Sequence, residues 1–328
     1  MAYFRFETNL QNLYFDMLKY IGDTGIYEDI SSNKGICHVF NSKGSTGADN
    51  ILIIMGSADS KSASNTYKRM FVSLASDYIP GAAIGQIGSF VNLNSRYAPT
   101  DINFLKQIDG FAAVNYSVTP SVAINENTIM EVLLIVTSDY IQCCWWQKNM
   151  GPVSPLSNGF YAGLIDRLNP LDRKAQVLMP FYGATTGAGV DHSNSLRSNN
   201  PGICLILEDF TRISFNEARL AINAPKLLTA AYNAASDIIG YKGNGDNDSK
   251  LILFDIAVTS PALVDKYGLR GYLNGIKTFG FHAGYKNGDV IVDDNNKKYM
   301  YFKQFTGSEA NHFRTLQYCE DVYLLELR

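Results

Sequence analysis

Residues 38–56 read HVFNSKGSTGADNILIIMG. Two apolar runs, Val39-Phe40 and Ile51-Leu52-Ile53-Ile54-Met55, flank the small and polar segment 41–50, which carries Gly44 and Gly47. That segment is a phosphate cradle, a metal loop or a hairpin turn, and the choice decides whether the chain is built around a reaction. A P-loop needs GxxxxGK[ST], with the lysine directly after the last glycine and a helix following. Here Lys43 precedes Gly44, and ILIIM, a strand by composition, follows. Without a helix N-terminus there is no dipole and no fan of free N–H groups to hold phosphate. The segment therefore reads as a β-hairpin connection. Gly44 and Gly47 supply turn conformations, and Asn41, Ser42 and Asp49 can hydrogen-bond the local backbone.

Working outward, residues 6–21 (FETNLQNLYFDMLKYI) set Leu10, Leu13, Tyr14, Leu18 and Ile21 at helical spacing. They predict an amphipathic helix beginning near Thr8 or Asn9. Residues 64–79 (SNTYKRMFVSLASDYI) fit helix or strand. Residues 128–147 (TIMEVLLIVTSDYIQCCWWQ) are rich in β-branched and aromatic residues and predict two strands broken at Thr137-Ser138-Asp139. Trp145 and Trp146 then lie on opposite faces, one entering a core and the other facing a partner or a loop. Residues 151–200 are punctuated by Gly, Pro, Asn and Ser with little periodicity, which predicts a long loop or arm. ICLILEDFTRISFNEARLAI (203–222) predicts two more strands, and the alanine-rich 224–240 a helix ending at Gly240. The last eighty residues alternate plainly, and VIVDDNNKKYMYF predicts a hairpin turning over Asp293 to Lys297.

The resulting fold class is α+β, predominantly antiparallel β in sandwich-like modules, with an N-terminal helix and an internal helix at 224–240. Four segments follow: the helix of 1–24, a β-rich domain over 25–150, an extended arm over 151–202, and a second β-rich domain with one helix over 203–328.

The 328 residues suffice for a substantial core. Charged residues make up only 18%, and the difference is filled by Asn, Ser, Thr and Gly with 20 Tyr and 18 Phe. A neutral polar and aromatic surface repels other proteins little, which suits a chain that works in protein contacts; compositional bias of the lineage would look the same. Net charge is −3 and no Lys/Arg-rich run occurs, so direct nucleic-acid binding is not expected. No apolar run is long enough to span a bilayer, and the N-terminus lacks signal-peptide character, so the chain is expected to be made and to stay in a cytoplasm until it assembles.

Cys37, Cys143, Cys144, Cys204 and Cys319 are scattered among apolar residues and read as buried free thiols of a reducing compartment. Vicinal Cys143 and Cys144 point to opposite faces of a strand, against a shared metal. His38, His192, His282 and His312 show no HxH or HExxH spacing. Asp191-His192-Ser193 has the letters of a hydrolase triad, but adjacent residues cannot converge in its geometry. The glycine loop YGATTGAG (182–189) lacks the strand–GxGxxG–helix context of dinucleotide binding. GNGDNDSK and VDDNNKK offer oxygen ligands without EF-hand spacing. Glu208, Asp209 and Glu217 are the remaining carboxylates that glycoside chemistry could use, although a strand end is their simpler role. No catalytic residue, metal ligand or cofactor is assigned.

Three stretches carry a resemblance. GICHVFNSKGSTGADNILIIMG, the GLIDRLNP step with the glycine-rich loop after it, and LRGYLNGI with the closing NGDVI hairpin are similar to virion structural proteins of tailed bacteriophages. The resemblance implies a non-enzymatic subunit of the tail, baseplate or head–tail neck. Such a subunit is made in the host cytoplasm and located in the virion. Its partners would be copies of itself, in a ring or other symmetric oligomer, and other virion proteins. It implies no site residues, since such proteins work through surfaces. The alternatives are a receptor- or glycan-binding tail module, with the exposed tryptophan stacking on sugar, or a tail-associated glycan hydrolase using Glu208, Asp209 or Glu217.

Overall fold

The computed structural model describes residues 1–61, 66–81, 83, 86–91, 127–148, 156–172, 175–180, 205–206, 254–262, 266–278, 285–293, 295–303, 305–306 and 322–327. Along the chain these form β1 (Ala2–Asn9), α1 (Leu13–Asp23), β2 (Glu28–Asp29), β3 (Cys37–Ser42), β4 (Ile51–Lys61) and β5 (Thr66–Ala75). There follow β6 (Asp77–Ile79), β7 (Ser89–Val91), β8 (Ile129–Val136), β9 (Tyr140–Gln147), β10 (Leu156–Leu164), β11 (Asp166–Arg167) and β12 (Gln176–Pro180). The last are β13 (Leu205–Ile206), β14 (Phe254–Ala262), β15 (Lys266–Thr278), β16 (Val290–Val292), β17 (Lys298–Lys303), β18 (Phe305–Thr306) and β19 (Val322–Leu327).

The sheets are antiparallel, and α1 is the one helix among the described residues, so the fold is a β-rich α+β architecture. A seven-stranded sheet in the order β1-β8-β9-β10-β12-β13, with β18 also on β10, lies at the centre. One face packs on α1 and the four-stranded sheet β2-β3-β4-β5. The other packs on the six-stranded sheet β11-β15-β19-β17-β16, to which β14 is joined through β15.

Side-chain alternation explains the layering. From the central strands Val132, Leu134, Ile141, Cys143, Trp145 and Phe160 meet Met17, Ile53 and Val72 in one core. Their neighbours Leu133, Ile135, Cys144, Trp146 and Tyr161 meet Leu273, Met300, Phe302 and Leu325 in the other. An antiparallel strand normally shows one wet face; β8 and β9 are covered on both, hence their unbroken apolar run. Each such side chain contributes roughly 1.5–3 kcal/mol by burial, against about 1 kcal/mol net for a typical hydrogen bond. The two cores therefore set the stack, and polar contacts choose details within it. The four-stranded sheet is also covered twice: Ile51, Ile53 and Met55 face the central sheet, while Leu52 and Ile54 join Val39, Ala75 and Tyr78 beneath the β6–β7 hairpin.

Several expectations hold. Residues 38–56 are the β3–β4 hairpin, with Val39 opposite Ile54 and Phe40 opposite Ile53. The break at 137–139 separates β8 from β9, and 290–303 is a hairpin. Cys143 and Cys144 do enter opposite cores.

Others need correction. The helix begins at Leu13, not near Thr8, because Tyr3, Arg5 and Glu7 alternate with Phe4, Phe6 and Thr8 at strand period and residues 2–9 pair with β8. Asn9 Oδ1 then accepts the N–H of Asn12 (2.9 Å), and the chain turns into a helix buried through Leu13, Met17 and Ile21. Of residues 64–79, which fit helix or strand, the described 66–79 are strand over Thr66–Ala75 and Asp77–Ile79, with β5 pairing along β4. The expected arm of 151–202 instead supplies β10 and β12 to the middle of the central sheet. Within β10, Gly163 sits at φ +134°, and a Cβ on it would lie 2.3 Å from the Asp139 carbonyl oxygen. It marks a close backbone approach inside a strand rather than a break. The central sheet thus draws strands from all four segments proposed from sequence. The remainder of the arm (181–202) and the helix of 224–240 lie outside the described residues.

Candidate functional site

The loop between β3 and β4 turns on Gly44 (φ +68°) and Gly47 (φ +72°). Its N–H groups are used internally: Gly44 to Ser42 Oγ (3.1 Å), Gly47 to the Gly44 carbonyl (3.2 Å), Ala48 to Thr46 Oγ1 (3.2 Å), and Asp49 to the Lys43 carbonyl (3.0 Å). Ser45 N–H reaches across to Asp139 Oδ1 (2.6 Å), and Ser42 Oγ donates to the Ser138 carbonyl (2.6 Å). The loop is therefore fastened to the β8–β9 turn. Five of its N–H groups are thus turned inward and two carboxylates, Asp49 and Asp139, line it, unlike the fan of free N–H groups that makes a phosphate cradle.

Asp49 is the centre of this junction. Its side chain is 2% exposed and receives both guanidinium nitrogens of Arg167, itself 10% exposed: Nη1 to Oδ1 at 2.8 Å and Nη2 to Oδ2 at 3.3 Å. Thr46 Oγ1 adds a third donor at 2.8 Å, and Arg167 Nη1 also reaches the Asp172 carbonyl (3.3 Å). The bidentate fork with extra donors is the geometry a buried charge pair requires. Gly44 must be glycine here twice over, because besides its positive φ a Cβ would stand 2.9 Å from Asp49 Oδ2. Next to the pair, Gln176 Nε2 donates to the Asn50 carbonyl (2.8 Å).

Arg167 lies in β11, opposite Gly271 of β15. A Cβ at Gly271 would come within 2.0 Å of the Asp166 carbonyl oxygen, so only glycine allows the two strands to close. Through this chain of contacts the loop of the four-stranded sheet, the turn of the central sheet and the edge of the six-stranded sheet meet in one place. They come from separate stretches: KGSTGAD supplies the loop, Ser138-Asp139 the turn, and LIDRLNP with LRGYLNG the edge. No sequence spacing announced Asp49 with Arg167; the available signal was the charged Asp166-Arg167 directly after Gly163-Leu164-Ile165.

A second polar cluster lies on β2–β3. His38 Nδ1 is 2.9 Å from Asp29 Oδ2, and Lys34 Nζ is 3.0 Å from the same oxygen. The Ser31 hydroxyl donates to Asp29 Oδ1 and accepts the Val39 N–H (2.7 Å). Partial burial pushes the Asp29 carboxyl up, but hydrogen bonds from Ser31, His38 and Lys34 outweigh it and hold the group at about 2. Ser, His and Asp are all present, yet the carboxylate stands between the other two. The serine is not bonded to the imidazole, so the order of a nucleophilic triad is not met.

Both tryptophans are buried, Trp145 at 0% and Trp146 at 4% exposure, because each face of β9 has its own core. The expected exposed sugar-stacking indole is thereby overturned. Cys37, Cys143 and Cys144 are free and buried; burial raises all three thiols, Cys37 to about 12. In the 293–297 turn Asp293 Oδ1 accepts N–H groups of Asn295 (2.8 Å) and Lys297 (2.9 Å), so this carboxylate closes its own turn. Among the described residues no three His, Cys, Asp or Glu side chains gather as a metal site, and no helix is long and apolar enough to cross a membrane. Cys204, Cys319, Asp191, His192, Ser193, His282, His312, Glu208, Asp209, Glu217 and the 243–250 loop lie outside the described residues. Compared with known proteins, the chain matches no family model and no curated relative.

Proposed function

We propose that this chain is a non-enzymatic structural subunit of a tailed-bacteriophage virion, in the tail, baseplate or head–tail neck, acting through oligomeric contacts. The observation that carries this reading is convergence. The three stretches that resemble such subunits meet at the Asp49–Arg167–Gly271 junction, where Arg167 bridges the loop at Asp49 and the strand at Gly271. A residue pattern that ties three sheets into one block serves shape, which is what a subunit repeated many times must hold constant. The weakly charged, Tyr- and Asn-rich composition favours the same role, since it lets copies approach without self-repulsion. Copies would close into a ring through head-to-tail contacts or pair across a symmetry axis.

Electron microscopy of the purified chain is the direct test. Rings or other symmetric particles are expected, with cleavage by protease within 184–202 before assembly and protection afterwards. A chain that is monomeric at every concentration with that segment already protected overturns the reading. Cleavage of cell-wall or capsular glycan by the wild-type chain, lost on Glu208→Gln, Asp209→Asn or Glu217→Gln, replaces it with the hydrolase alternative.

A further inference from the structure

We propose that two copies of this chain pair antiparallel along the free edge of β1, continuing the central sheet across a two-fold axis with Phe6 opposite Phe6 and Arg5 opposite Glu7 of the second copy. This deepens the reading above and rests on it, by naming one contact through which the subunit associates.

β1 is the outermost strand of the largest sheet, eight residues long, with β8 on one side and no strand on the other among the described residues. The direction of its hydrogen bonds follows from one contact. Leu10 N–H donates to the Thr128 carbonyl (3.0 Å), continuing the register Asn9↔Ile129 and Thr8↔Met130. In an antiparallel ladder donors and acceptors alternate sides residue by residue. Ala2, Phe4, Phe6 and Thr8 therefore face β8, while Tyr3, Arg5, Glu7 and Asn9 direct their N–H and C=O groups off the edge.

An incoming antiparallel strand must set odd residues against odd. Centring a two-fold on Arg5 opposes arginine to arginine, and centring it on Glu7 opposes glutamate to glutamate. A centre on Phe4 or Thr8 leaves both charges against neutral residues. A centre on Phe6 places Arg5 against Glu7 twice, and like charges directly opposite are the disfavoured arrangement. The strand is self-complementary in that register alone.

The surrounding side chains fit the same register. On the outer face Glu7 sits opposite Glu131, and the two are balanced by salt bridges from Lys148 to Glu7 and from Arg5 to Glu131. Arg5 remains 42% exposed and Glu7 51%, so each has room for a second partner. On the inner face Phe4 and Phe6 rest on Tyr20 of α1, with ring centroids 4.8 and 4.3 Å away, and both are only partly buried. Pairing at Phe6 forms a non-hydrogen-bonded site, where facing side chains come closest. Charged residues on an edge often keep other strands away. Here one charge of each sign, two residues apart, admits a second copy rather than repelling it.

Sedimentation equilibrium of the full chain is expected to give twice 36.3 kDa, or a multiple of that pair. Glu7→Pro removes an N–H that points off the edge, so the β8 ladder and the circular dichroism spectrum persist while the pair is lost. Arg5→Glu and Glu7→Arg each abolish pairing, and the double exchange R5E/E7R restores it. Phe6→Cys yields a disulfide-linked dimer on mild oxidation, whereas Tyr3→Cys, opposite Asn9 of the second copy, does not. An assembly unchanged by Glu7→Pro and not cross-linked through position 6 overturns the β1 contact while the structural-subunit reading stands. A strict monomer that forms no particle overturns both. Loss on Glu7→Pro of binding to a different protein, without self-association in wild type, assigns the edge to a foreign strand and overturns the second copy.

Discussion

Two hairpin connections in this molecule both turn on Asp and Asn and do different work. Residues 43–50 join β3 to β4, and residues 293–297 join β16 to β17; both rely on Asp and Asn, and both contain a left-handed residue, Gly44 and Gly47 in the first and Asn296 (φ +60°) in the second. In the second, among the described residues, Asp293 bonds its own turn and the Tyr299 hydroxyl (3.3 Å). In the first, Asp49 and its neighbours reach Asp139, Ser138 and Arg167, more than ninety residues away. Turn chemistry is local and equal in the two; burial is not. The β3–β4 loop lies where three sheets converge, and the β16–β17 turn lies at the edge strand of one.

The largest effect that can break this contrast is loss of the ion pair. Asp49→Ala or Arg167→Met should each cost about 3–5 kcal/mol, since either leaves a buried charge alone. Chemical denaturation reads this directly, and Asp293→Ala should barely move the midpoint. Equal effects of Asp49→Ala and Asp293→Ala would remove the distinction. The joint replacement of Asp49 and Arg167 by apolar residues should cost less than the two single changes summed.

Within the first loop, Gly44→Ala should destabilise by about 1–3 kcal/mol, from its positive φ and the approach to Asp49 together. Gly47→Ala, with nothing within 4 Å of the added methyl, should cost about 1 kcal/mol from φ alone. A larger loss at Gly47 would show that the junction is not what makes the loop demanding.

A gentler effect is expected in acid, at the cluster on β2–β3. Asp29 is held at about 2 in the folded chain against an ordinary 3.8, so its stabilisation is full above pH 4 and is lost as pH falls from there toward 2. The melting temperature should drop across that window, and Asp29→Asn should flatten this part of the profile. The smallest change is expected at Asn296→Gly, within about 0.5 kcal/mol of wild type by the same denaturation assay, because glycine adopts the turn as readily as asparagine at an exposed site.

Much of the strand pattern was legible because its causes are local. Val39-Phe40 and Ile51 to Met55 around two glycines, the break at Thr137-Ser138-Asp139 and the Asp293 turn each carry their own turn chemistry and pairing partner. Residues 2–9 were legible in principle, since Phe4 and Phe6 alternate with Arg5 and Glu7, but a helical spacing beginning at Leu10 overlaid that shorter period. The β10 strand was hidden because Gly, Pro, Asn and Ser punctuate 151–200 without a clear period, and the close approach of the Asp139 carbonyl to Gly163 exists only in the folded sheet. The junction was not legible at all: Asp49 and Arg167 are 118 residues apart, and neither has a local partner that predicts the other.

By itself the sequence determined the antiparallel β character, the hairpins and the opposite faces of Cys143 and Cys144, because alternation and turn preference act over a few residues. Tertiary structure decided that both tryptophans are buried, since a second sheet had to cover the other face of β9. It also decided which of two similar polar loops would become a buried junction. Solvent exclusion, and with it the demand that Asp49 find Arg167, exists only once the three sheets have met.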